Sequence, residues 1–534
     1  MSKRNLFRVA LLLAAGGYFA YATYFKPRPA TGAAAAHGTT AAAIPANARE
    51  FTLGTLAFKS CELAQKRSGA TTAAFCAPFQ VAERRDENQH DKPYGRKLDL
   101  KLALIKSDAE RADTDLVVFF AGGPGQSAVE TYPQIAGALA PLRKHHHILL
   151  LDQRGTGQSH PLDCRGTQPD AKKADGPSGG DASEDASAAD AKKFADETAK
   201  CLAEVAKTSD PTQYTTTIAT QDLEDVRLAL GSPQFDLVGV SYGTRMAQQY
   251  LMRHPDGVRS VVLDSVAPNE LVFGQEFAQN LESALKAQFA LCTQNATCNK
   301  AFGDPYASLV KLRDALRAKP QDYSFRDPLS FSATTMRLTD RRLAGLVRLF
   351  AYAPETAALL PLSIAEGLKG NYTPLAGQTQ LLQEDMSASM NGGMQASVVC
   401  AEDADLLRDD PGEASTLLGT SLVDALRAMC SVWPHGTRPA DFHAPIKSDK
   451  PVFVLEGELD PVTPPRYGEQ VMKGLSNAKL LVARGQGHNV IGRGCIPKLV
   501  GEFVDTLDAK TLDTHCADAL GPLPALIDFG GAAP

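Results

Sequence analysis

A serine lies between two glycines in the segment 239–243 (Gly-Val-Ser-Tyr-Gly), directly after the apolar run Phe235–Val240 and directly before a helix-like segment. A chain that turns sharply from a strand into a helix needs glycines at these positions, because larger side chains there would collide. The helix N-terminus behind the serine favours negative charge that develops on a bound substrate. This context predicts that Ser241 is a catalytic nucleophile, although the GxSxG pattern alone also fits an ordinary tight turn.

A serine hydroxyl reacts poorly unless a base removes its proton. His488, in the glycine-rich segment 485–488, follows the last strand-like segment and is the predicted base. Asp460, which follows the strand-like run Val452–Leu455, is the predicted acid that would orient the imidazole. Asp264, after the preceding strand-like run, is the alternative acid. The chain order serine, aspartate, histidine is that of the α/β-hydrolases.

The oxyanion of an acyl-transfer reaction needs two backbone N–H groups that point at one place. The N–H of Tyr242, the residue after the serine, is one predicted donor. The turn 121–125 (Ala-Gly-Gly-Pro-Gly) follows an apolar run and is predicted to supply the other. Because glycines let the backbone approach the substrate oxygen, Gly123 is the first choice of donor and Gly122 the second.

A larger framework must position these residues, and the chain alternates strand-like and helix-like segments from Phe51 onward. This alternation predicts an α/β fold with a mostly parallel sheet that helices cover on both faces. Leucines at every second position from Leu98 to Leu104 predict a half-buried strand. Continuous apolar runs predict buried central strands at Asp115–Phe120 and His147–Leu151. Further strand signals continue the set at Phe235–Val240, Arg259–Leu263, Val452–Leu455 and Lys479–Val482.

The N-terminus carries the pattern of an export signal. An uncharged apolar run, Val9–Phe25, follows three basic residues, Lys3, Arg4 and Arg8. Small residues flank position 21, as they do at a signal-peptide cleavage site. The same run reaches the lower length limit of a membrane span, so an uncleaved N-terminal anchor is the alternative. We therefore expect an exported protein, periplasmic or extracellular, that is either released or anchored by its N-terminus.

Composition divides the rest of the chain into further segments. The Ala/Pro-rich stretch after the signal lacks apolar periodicity and is predicted to be a flexible tether. The mainly helical block 270–448 is too long for a loop, which predicts a cap domain over the sheet. The predicted segments are 1–25 signal peptide or anchor, 26–50 tether, 51–269 first part of the core with a low-complexity insertion at 165–192, 270–448 cap, and 449–534 second part of the core.

The ten cysteines fit an oxidising compartment, where an even number predicts disulfides. They occur as close neighbours along the chain, so sequential pairing is the simplest arrangement, with some free buried thiols as the alternative. No pair has the CxxC spacing of a zinc site, and we expect neither a metal nor another cofactor. The predicted pairs are Cys61 with Cys76, Cys164 with Cys201, Cys292 with Cys298, Cys400 with Cys430, and Cys495 with Cys516.

The charge of the chain excludes one class of partner. A net charge of −6 and an isoelectric point near 6.0 lack the basic face that binds phosphates, so we expect no nucleic-acid partner. The substrate is then expected in a pocket.

Five motifs in order resemble a known family. They are AGGPGQS at 121–127, DQRGTGQS at 152–159, GVSYGT at 239–244, GELDPVTP at 457–464 and GQGH at 485–488. Together they resemble the prolyl iminopeptidase and tripeptidyl-aminopeptidase-like serine peptidases of the α/β-hydrolase fold, most closely the exported branch. The resemblance covers about residues 53–520 and implies removal of residues or short peptides from free N-termini. Ala121 replaces the histidine that usually precedes GGPG, and the insertion at 165–192 is unlike the compact relatives.

An aminopeptidase must bind an ammonium group, and a buried ammonium needs a carboxylate partner. The resemblance implies a Cys-x-acid segment in the cap, which matches Cys400, Ala401 and Glu402 in this chain. Glu402 is therefore the predicted amine-binding residue, with Asp403 in reserve. The alternative is a solvated acidic pair at the start of a helix.

The predicted function is that of an exported serine aminopeptidase that forms an acyl-enzyme on Ser241 and acts on peptides with a free N-terminus. The fold hosts many acyl-transfer activities, so an esterase or other small-molecule acyl hydrolase is the second hypothesis. A catalytically inactive binding module is the third, and the complete triad argues against it.

Overall fold

The structure, a computed structural model, describes residues 48–64, 71–85, 94–109, 115–164 and 184–532. All of these residues belong to one compact unit. The predicted signal or anchor lies outside the described residues, as does the predicted tether up to residue 47, and the first strand begins at Glu50. In the part of the chain that is described, no helix is both long and apolar enough to cross a membrane.

One large sheet runs through the described residues in the order β1-β2-β3-β4-β6-β5-β7-β8-β11-β12. The half from β6 to β12 is parallel, and the half from β1 to β4 joins it through antiparallel pairs. The strands are β1 (Glu50–Leu53), β2 (Leu56–Ala64), β3 (Thr71–Arg84), β4 (Tyr94–Ile105), β5 (Leu116–Phe120), β6 (Ile148–Leu151), β7 (Phe235–Val240), β8 (Val258–Asp264), β9 (Gln321–Arg326), β10 (Ala333–Leu338), β11 (Val452–Gly457), β12 (Ala478–Ala483), β13 (Leu526–Asp528) and β14 (Gly531–Ala532).

Helices follow most of the parallel strands. They are α1 (Ala128–Leu139), α2 (Glu184–Val205), α3 (Thr216–Leu230), α4 (Tyr242–Arg253), α5 (Phe277–Gln294), α6 (Ala296–Phe302), α7 (Pro305–Ala318), α8 (Asp340–Phe350), α9 (Pro354–Ala357), α10 (Leu360–Leu368), α11 (Thr373–Ser389), α12 (Gly392–Glu402), α13 (Ser421–Cys430), α14 (Pro465–Met472) and α15 (Ile496–Thr506).

Both faces of the parallel half are buried from β6 to β11, whereas the edge strand β12 is partly exposed. Val117 and Phe119 of β5 belong to the hydrophobic cluster that includes residues of α1 and α15. Val118, one position along, belongs instead to the cluster that includes residues of α3 and α4. Because successive side chains of a strand point to opposite faces, a strand between two helical layers must be apolar throughout. This explains the continuous apolar runs and confirms the predicted α/β architecture.

Strand β4 lies in the antiparallel half, and its burial alternates along the strand, as its alternating leucines predict. Leu98 and Leu100 are buried, whereas Lys97 and Asp99, which alternate with them, are exposed. In this part of the strand one face packs on the core and the other faces solvent, while further along the strand Ile105 is buried on that second face as well.

The block 270–448 is mainly helical, as predicted, and has a hydrophobic cluster of its own that includes Leu281, Leu312 and Val347. It also contains the antiparallel pair β9–β10, which the sequence analysis did not predict. The domain boundaries themselves stay a prediction.

The predicted low-complexity insertion at 165–192 overlaps a helix at its C-terminal end. Residues 165–183 lie outside the described residues, but α2 already begins at Glu184. The segment from Glu184 to Lys193 consists of alanine, serine, lysine and acidic residues, and its alanines have a high helix propensity. Composition had identified it as polar and repetitive without showing that it would form a helix.

Candidate active site

Ser241 occupies a sharp turn between β7 and α4. Its backbone φ and ψ are 55° and −123°, a strained conformation that residues other than glycine rarely adopt and that is found mainly at functional sites. A Cβ atom added to Gly239 would collide with the carbonyl group of Gly243, and one added to Gly243 would collide with the carbonyl oxygen of Phe120. The two glycines of the motif are thus required by close backbone packing, and the serine stands at the C-terminal edge of the sheet.

Asp460 and His488 are in direct contact. Asp460 follows β11 and His488 follows β12, and the Oδ2 atom of the aspartate lies 2.7 Å from Nδ1 of the imidazole. Oδ1 of Asp460 accepts hydrogen bonds from the backbone N–H groups of Val462 (2.8 Å) and Thr463 (2.9 Å). These bonds fix the carboxylate, so the imidazole is held through Nδ1 and its Nε2 remains for proton transfer.

Thr463 is a contributor that the sequence analysis did not single out. Its hydroxyl lies 3.1 Å from Oδ2 of Asp460 and 3.3 Å from Nδ1 of His488. The motif GELDPVTP contains this threonine three residues after the aspartate, and that spacing was the available signal.

A residue of the helical block also contacts the imidazole. The backbone N–H of His488 donates to the carbonyl oxygen of Tyr352 at 2.7 Å, and the two rings meet edge to face with centroids 5.0 Å apart. The predicted cap region thus packs on the predicted base.

Asp264, the alternative acid, contacts the backbone of the histidine loop and not the imidazole. Its carboxylate accepts the backbone N–H groups of Val490 at 2.8 Å and Ile491 at 3.0 Å. Burial raises the pKa of Asp264 to about 6. The structure therefore brings Asp460 to the imidazole and Asp264 to the backbone that follows it.

The loops of the serine and the histidine meet at the end of β8. The backbone N–H of Ser241 donates to the carbonyl oxygen of Asp264 at 2.9 Å, while the hydroxyl of Ser265 accepts the N–H of Asn489 at 2.7 Å. The three predicted triad residues therefore share one edge of the sheet.

The predicted oxyanion turn lies against the serine. A Cβ atom added to Gly122 would lie 3.2 Å from Cβ of Ser241, and Gly123 has a φ of 114° that favours glycine. Tyr242 begins α4, so its N–H belongs to the free N-terminal turn of that helix. This placement is consistent with hydrogen-bond donation from the N–H groups of Tyr242 and Gly123 to a substrate oxyanion, which stays a prediction.

The motif DQRGTGQS supports that turn. Asp152 is fully buried and accepts hydrogen bonds from the Ser127 hydroxyl at 2.5 Å and from the N–H groups of Val129 and Gln158, both at 3.0 Å. Ser127 caps α1, which follows the turn directly. Burial raises the pKa of Asp152 to about 6, and its hydrogen bonds oppose that shift.

The structure contradicts the interpretation of Glu402 and Asp403 as a solvated pair at a helix start. They lie at the C-terminal end of α12, and both side chains are fully buried. Asp403 forms an ion pair with Arg245 at 2.9 Å, and Glu402 accepts the N–H of Thr216 at 2.6 Å and its hydroxyl at 2.9 Å. The hydroxyl of Thr216 in turn contacts that of Tyr242 at 2.7 Å.

Burial raises the pKa of Glu402 to about 7, and the charge of Arg245 opposes the shift. The acidic pair thus belongs to a buried network that reaches the residue after the predicted nucleophile. Because neither carboxylate has exposed surface, a role in amine binding stays a prediction.

A cavity of about 390 Å³ lies beside the loops of Asp460 and His488. Leu459 and Gly487 line it from the core, and Phe289 and Pro361 line it from the helical block. Its lining contains no charged side chain, so a substrate ammonium group would have to find its carboxylate elsewhere.

All ten cysteines form disulfides, and the sequential pairing is confirmed. The Cys400–Cys430 bond joins α12 to α13 and so holds the helix that ends at Glu402. The Cys495–Cys516 bond begins seven residues after His488 and ties that region to the C-terminal segment. Disulfides therefore flank both the predicted base and the acidic pair.

Several known proteins are similar to this chain over most of its length. Tripeptidyl aminopeptidase of Streptomyces coelicolor is 25% identical over 465 residues, which cover 81% of this chain and 82% of that protein. Serine protease Hip1 of Mycobacterium tuberculosis is 26% identical over 432 residues, which cover 76% of this chain and 81% of that protein. The solved proline iminopeptidase of Mycobacterium smegmatis matches with a TM-score of 0.37 and 13% identity over 81% of this chain and 98% of its own.

The family model of the alpha/beta hydrolase fold matches residues 115–493. The match begins just before β5 and ends after His488, so it includes all three predicted triad residues and the turn at 121–125. The chain therefore belongs to the α/β-hydrolase fold family.

Proposed function

We propose that this protein is a serine aminopeptidase that releases one residue or a short peptide from free N-termini. The observation that carries the proposal is the 2.7 Å contact between Asp460 and His488 at the sheet edge where Ser241 stands on its strained turn. With Nδ1 held by the carboxylate, Nε2 of the imidazole is the basic nitrogen that can accept the serine proton.

The reaction then follows from these groups. His488 takes the proton of the Ser241 hydroxyl as Oγ bonds to the carbonyl carbon of the scissile peptide. The N–H groups of Tyr242 and Gly123 stabilise the oxyanion of the tetrahedral intermediate. As this intermediate collapses, the C–N bond breaks and the imidazolium gives its proton to the leaving amine. Water, deprotonated by His488, hydrolyses the acyl-enzyme and restores Ser241.

Aminopeptidase rather than general hydrolase activity is supported by the five motifs and by the names of the relatives, a tripeptidyl aminopeptidase and a serine protease. The buried network near Tyr242 adds physical support. It contains two carboxylates, Glu402 and Asp403, against the guanidinium of Arg245, and the imidazole of His443 lies 3.8 Å from Asp403. When Glu402 is ionised and His443 is neutral, the network has one negative charge in excess. We propose that this excess charge, with Glu402 as its centre, favours a substrate ammonium group.

We also propose that the protein acts outside the cytoplasm. The five disulfides support this location, because such bonds persist in oxidising compartments. Sequencing the N-terminus of the protein from separated cell fractions distinguishes a cleaved signal from a retained anchor, and a full-length cytoplasmic protein would contradict export.

The triad is tested by Ser241→Ala, Asp460→Ala and His488→Ala. Each change should remove nearly all turnover with little change in the melting temperature, and the losses should not add, because the three residues act as one unit. A fluorophosphonate probe should label the wild-type protein and fail to label Ser241→Ala. Retained labelling or turnover in that variant would overturn the assignment.

The substrate class is tested with three matched substrates: a tripeptide amide with a free N-terminus, its N-acetylated counterpart, and a small neutral ester. An aminopeptidase should favour the free peptide over the acetylated one by a large factor in kcat/KM. Rapid turnover of the ester with no cleavage of either peptide would instead establish an esterase.

A further inference from the structure

Asp264 contacts the loops of both predicted reacting residues. It is the last residue of β8, is fully buried, and pairs with Val240 across the parallel β7–β8 ladder. Its backbone carbonyl accepts the N–H of Ser241 at 2.9 Å. Its carboxylate accepts the N–H of Val490 through Oδ1 and that of Ile491 through Oδ2. One residue is thus bonded to the nucleophile turn and to the chain that follows the histidine.

The histidine loop depends on such outside partners. Residues 486–490 form neither helix nor strand, so no regular ladder fixes them. The four successive N–H groups from His488 to Ile491 donate instead to Tyr352, to the Ser265 hydroxyl, and to the two oxygens of Asp264. Three of these four bonds end on Asp264 or Ser265, which therefore form a clamp on the loop.

We propose that Asp264 is a positioning residue: its carboxylate holds the backbone of the His488 loop at the place from which the imidazole can exchange a proton with Ser241. The proposal rests on the proposed function, in which these two residues react together. Asp264 does not touch substrate and acts only through His488.

The chemistry of the carboxylate suits this role. A charged acceptor makes shorter and stronger bonds than a neutral one, and two oxygens that grip two consecutive N–H groups restrict rotation as well as distance. Proton transfer requires reacting atoms about 3 Å apart, and a displacement of about 1 Å lowers rates by roughly 100-fold. A local loosening of the loop would therefore affect turnover far more than substrate binding.

The primary test is Asp264→Asn. An amide can accept only one of the two N–H groups, because its NH₂ end is itself a donor. We expect kcat for the small ester to fall on the order of 100-fold while KM changes less than about twofold. Asp236→Asn is the matched control: Asp236 is also a fully buried strand aspartate, but it lies near the start of β7 and pairs with Arg259. This control should lose stability without losing kcat per folded molecule.

A double variant separates positioning from a general effect on the fold. Enzymes that lack one triad residue still accelerate reactions by roughly 10³ to 10⁴ over water, so the residual rate of His488→Ala is measurable on an activated ester. If Asp264 acts through the histidine, adding Asp264→Asn should leave this residual rate unchanged within about twofold. A further 100-fold loss, or unchanged kcat in Asp264→Asn alone, would overturn the proposal.

Should Asp264→Asn fail to fold, Ser265→Ala tests the same clamp, because it removes only the bond to the N–H of Asn489. A fall in kcat of about tenfold at constant KM is expected, and full kcat would overturn the clamp. Different variants test the proposed function and the clamp. Turnover by Ser241→Ala refutes the proposed function, whereas an inactive Ser241→Ala beside a fully active Asp264→Asn refutes only the clamp.

Discussion

Buried carboxylates near Ser241 differ in their partners, and the partners define what each can do. Asp460 contacts an imidazole, Asp264 contacts backbone N–H groups, and Asp403 contacts a guanidinium. Glu402 lacks a full counter-charge of its own, since its nearest cationic atom, on Arg245, is 4.0 Å away. Asp264 has no cationic partner either, but it holds the His488 loop, whereas Glu402 is linked through Thr216 to Tyr242 and is the carboxylate proposed to attract a substrate ammonium group.

Glu402→Gln tests amine recognition at this scale. The change removes the excess negative charge of the network, so KM for the free-amine peptide should rise about tenfold or more, while hydrolysis of the neutral ester changes little. The acetylated peptide is the control, because it carries no ammonium group. Steady-state kinetics on all three substrates give the comparison, and equal losses on peptide and ester would place the amine site elsewhere.

The pH dependence provides a second readout of the same residue. Because the pKa of Glu402 is raised to about 7, the group loses its charge as the pH falls below that value. KM for the free-amine peptide should therefore rise below pH 7 in the wild-type protein and stay flat in the Gln variant.

At the scale of elements, the predicted oxyanion turn is held by the helix behind it. The Ser127 side chain caps α1 and also bonds to Asp152, which follows β6. Asp152 belongs to the motif DQRGTGQS, and a second buried contact joins this motif to α3. Arg154 of the motif binds Asp222 of α3 through two nitrogens, at 2.6 and 2.7 Å. The turn at 121–125 is thus braced through side chains that follow β6.

Asp152→Asn tests the energetics of this brace through pH. The pKa of Asp152 is about 6 in the folded protein against an ordinary value of 3.8, so the folded state takes up this proton first as the pH falls. The stability of the wild-type protein relative to the variant should therefore increase between about pH 6 and pH 4, by up to roughly 3 kcal/mol. Urea unfolding at pH 8, 6, 5 and 4 measures the difference; a decrease toward acid would contradict the burial argument.

At the scale of the whole molecule, disulfides reinforce segments that hydrophobic packing also joins. The Cys495–Cys516 bond connects the start of α15 to a short 3₁₀ turn, and Ala517 of that turn belongs to the same core cluster as the apolar face of α15. The bond thereby keeps the chain beyond α15 against the region that carries His488.

Replacing Cys495 and Cys516 by serine should lower the free energy of unfolding by about 3 kcal/mol, from the closure entropy of a loop with a sequence separation of 21. Replacing Cys292 and Cys298, separated by only six positions, is the matched control and should cost about 2 kcal/mol. Denaturant unfolding of both double variants measures these losses. The reverse order of losses would mean that strain or residual structure outweighs loop closure.

The sequence alone was sufficient wherever neighbouring residues determine the outcome. The glycines around Ser241 reflect backbone contacts within one turn and its adjacent strand, and the leucine alternation of β4 reflects the period of a strand. Cysteines close along the chain pair locally. The order of Ser241, Asp460 and His488 located the candidate site because parallel strands bring their C-terminal ends to one edge of a sheet.

Only the tertiary structure decided which carboxylate meets which partner. Asp264 ends β8 and Asp460 follows β11, so both carboxylates reach the same edge of the sheet, but their partners differ. Asp264 accepts the N–H of Val490, 226 positions away along the chain, whereas Asp460 contacts His488, 28 positions away. Glu402 is buried against Thr216 and Arg245, which are distant from it in the sequence. Tyr352, which contacts His488, belongs to the helical block. Charge and burial at such sites depend on long-range packing, which local sequence patterns do not encode.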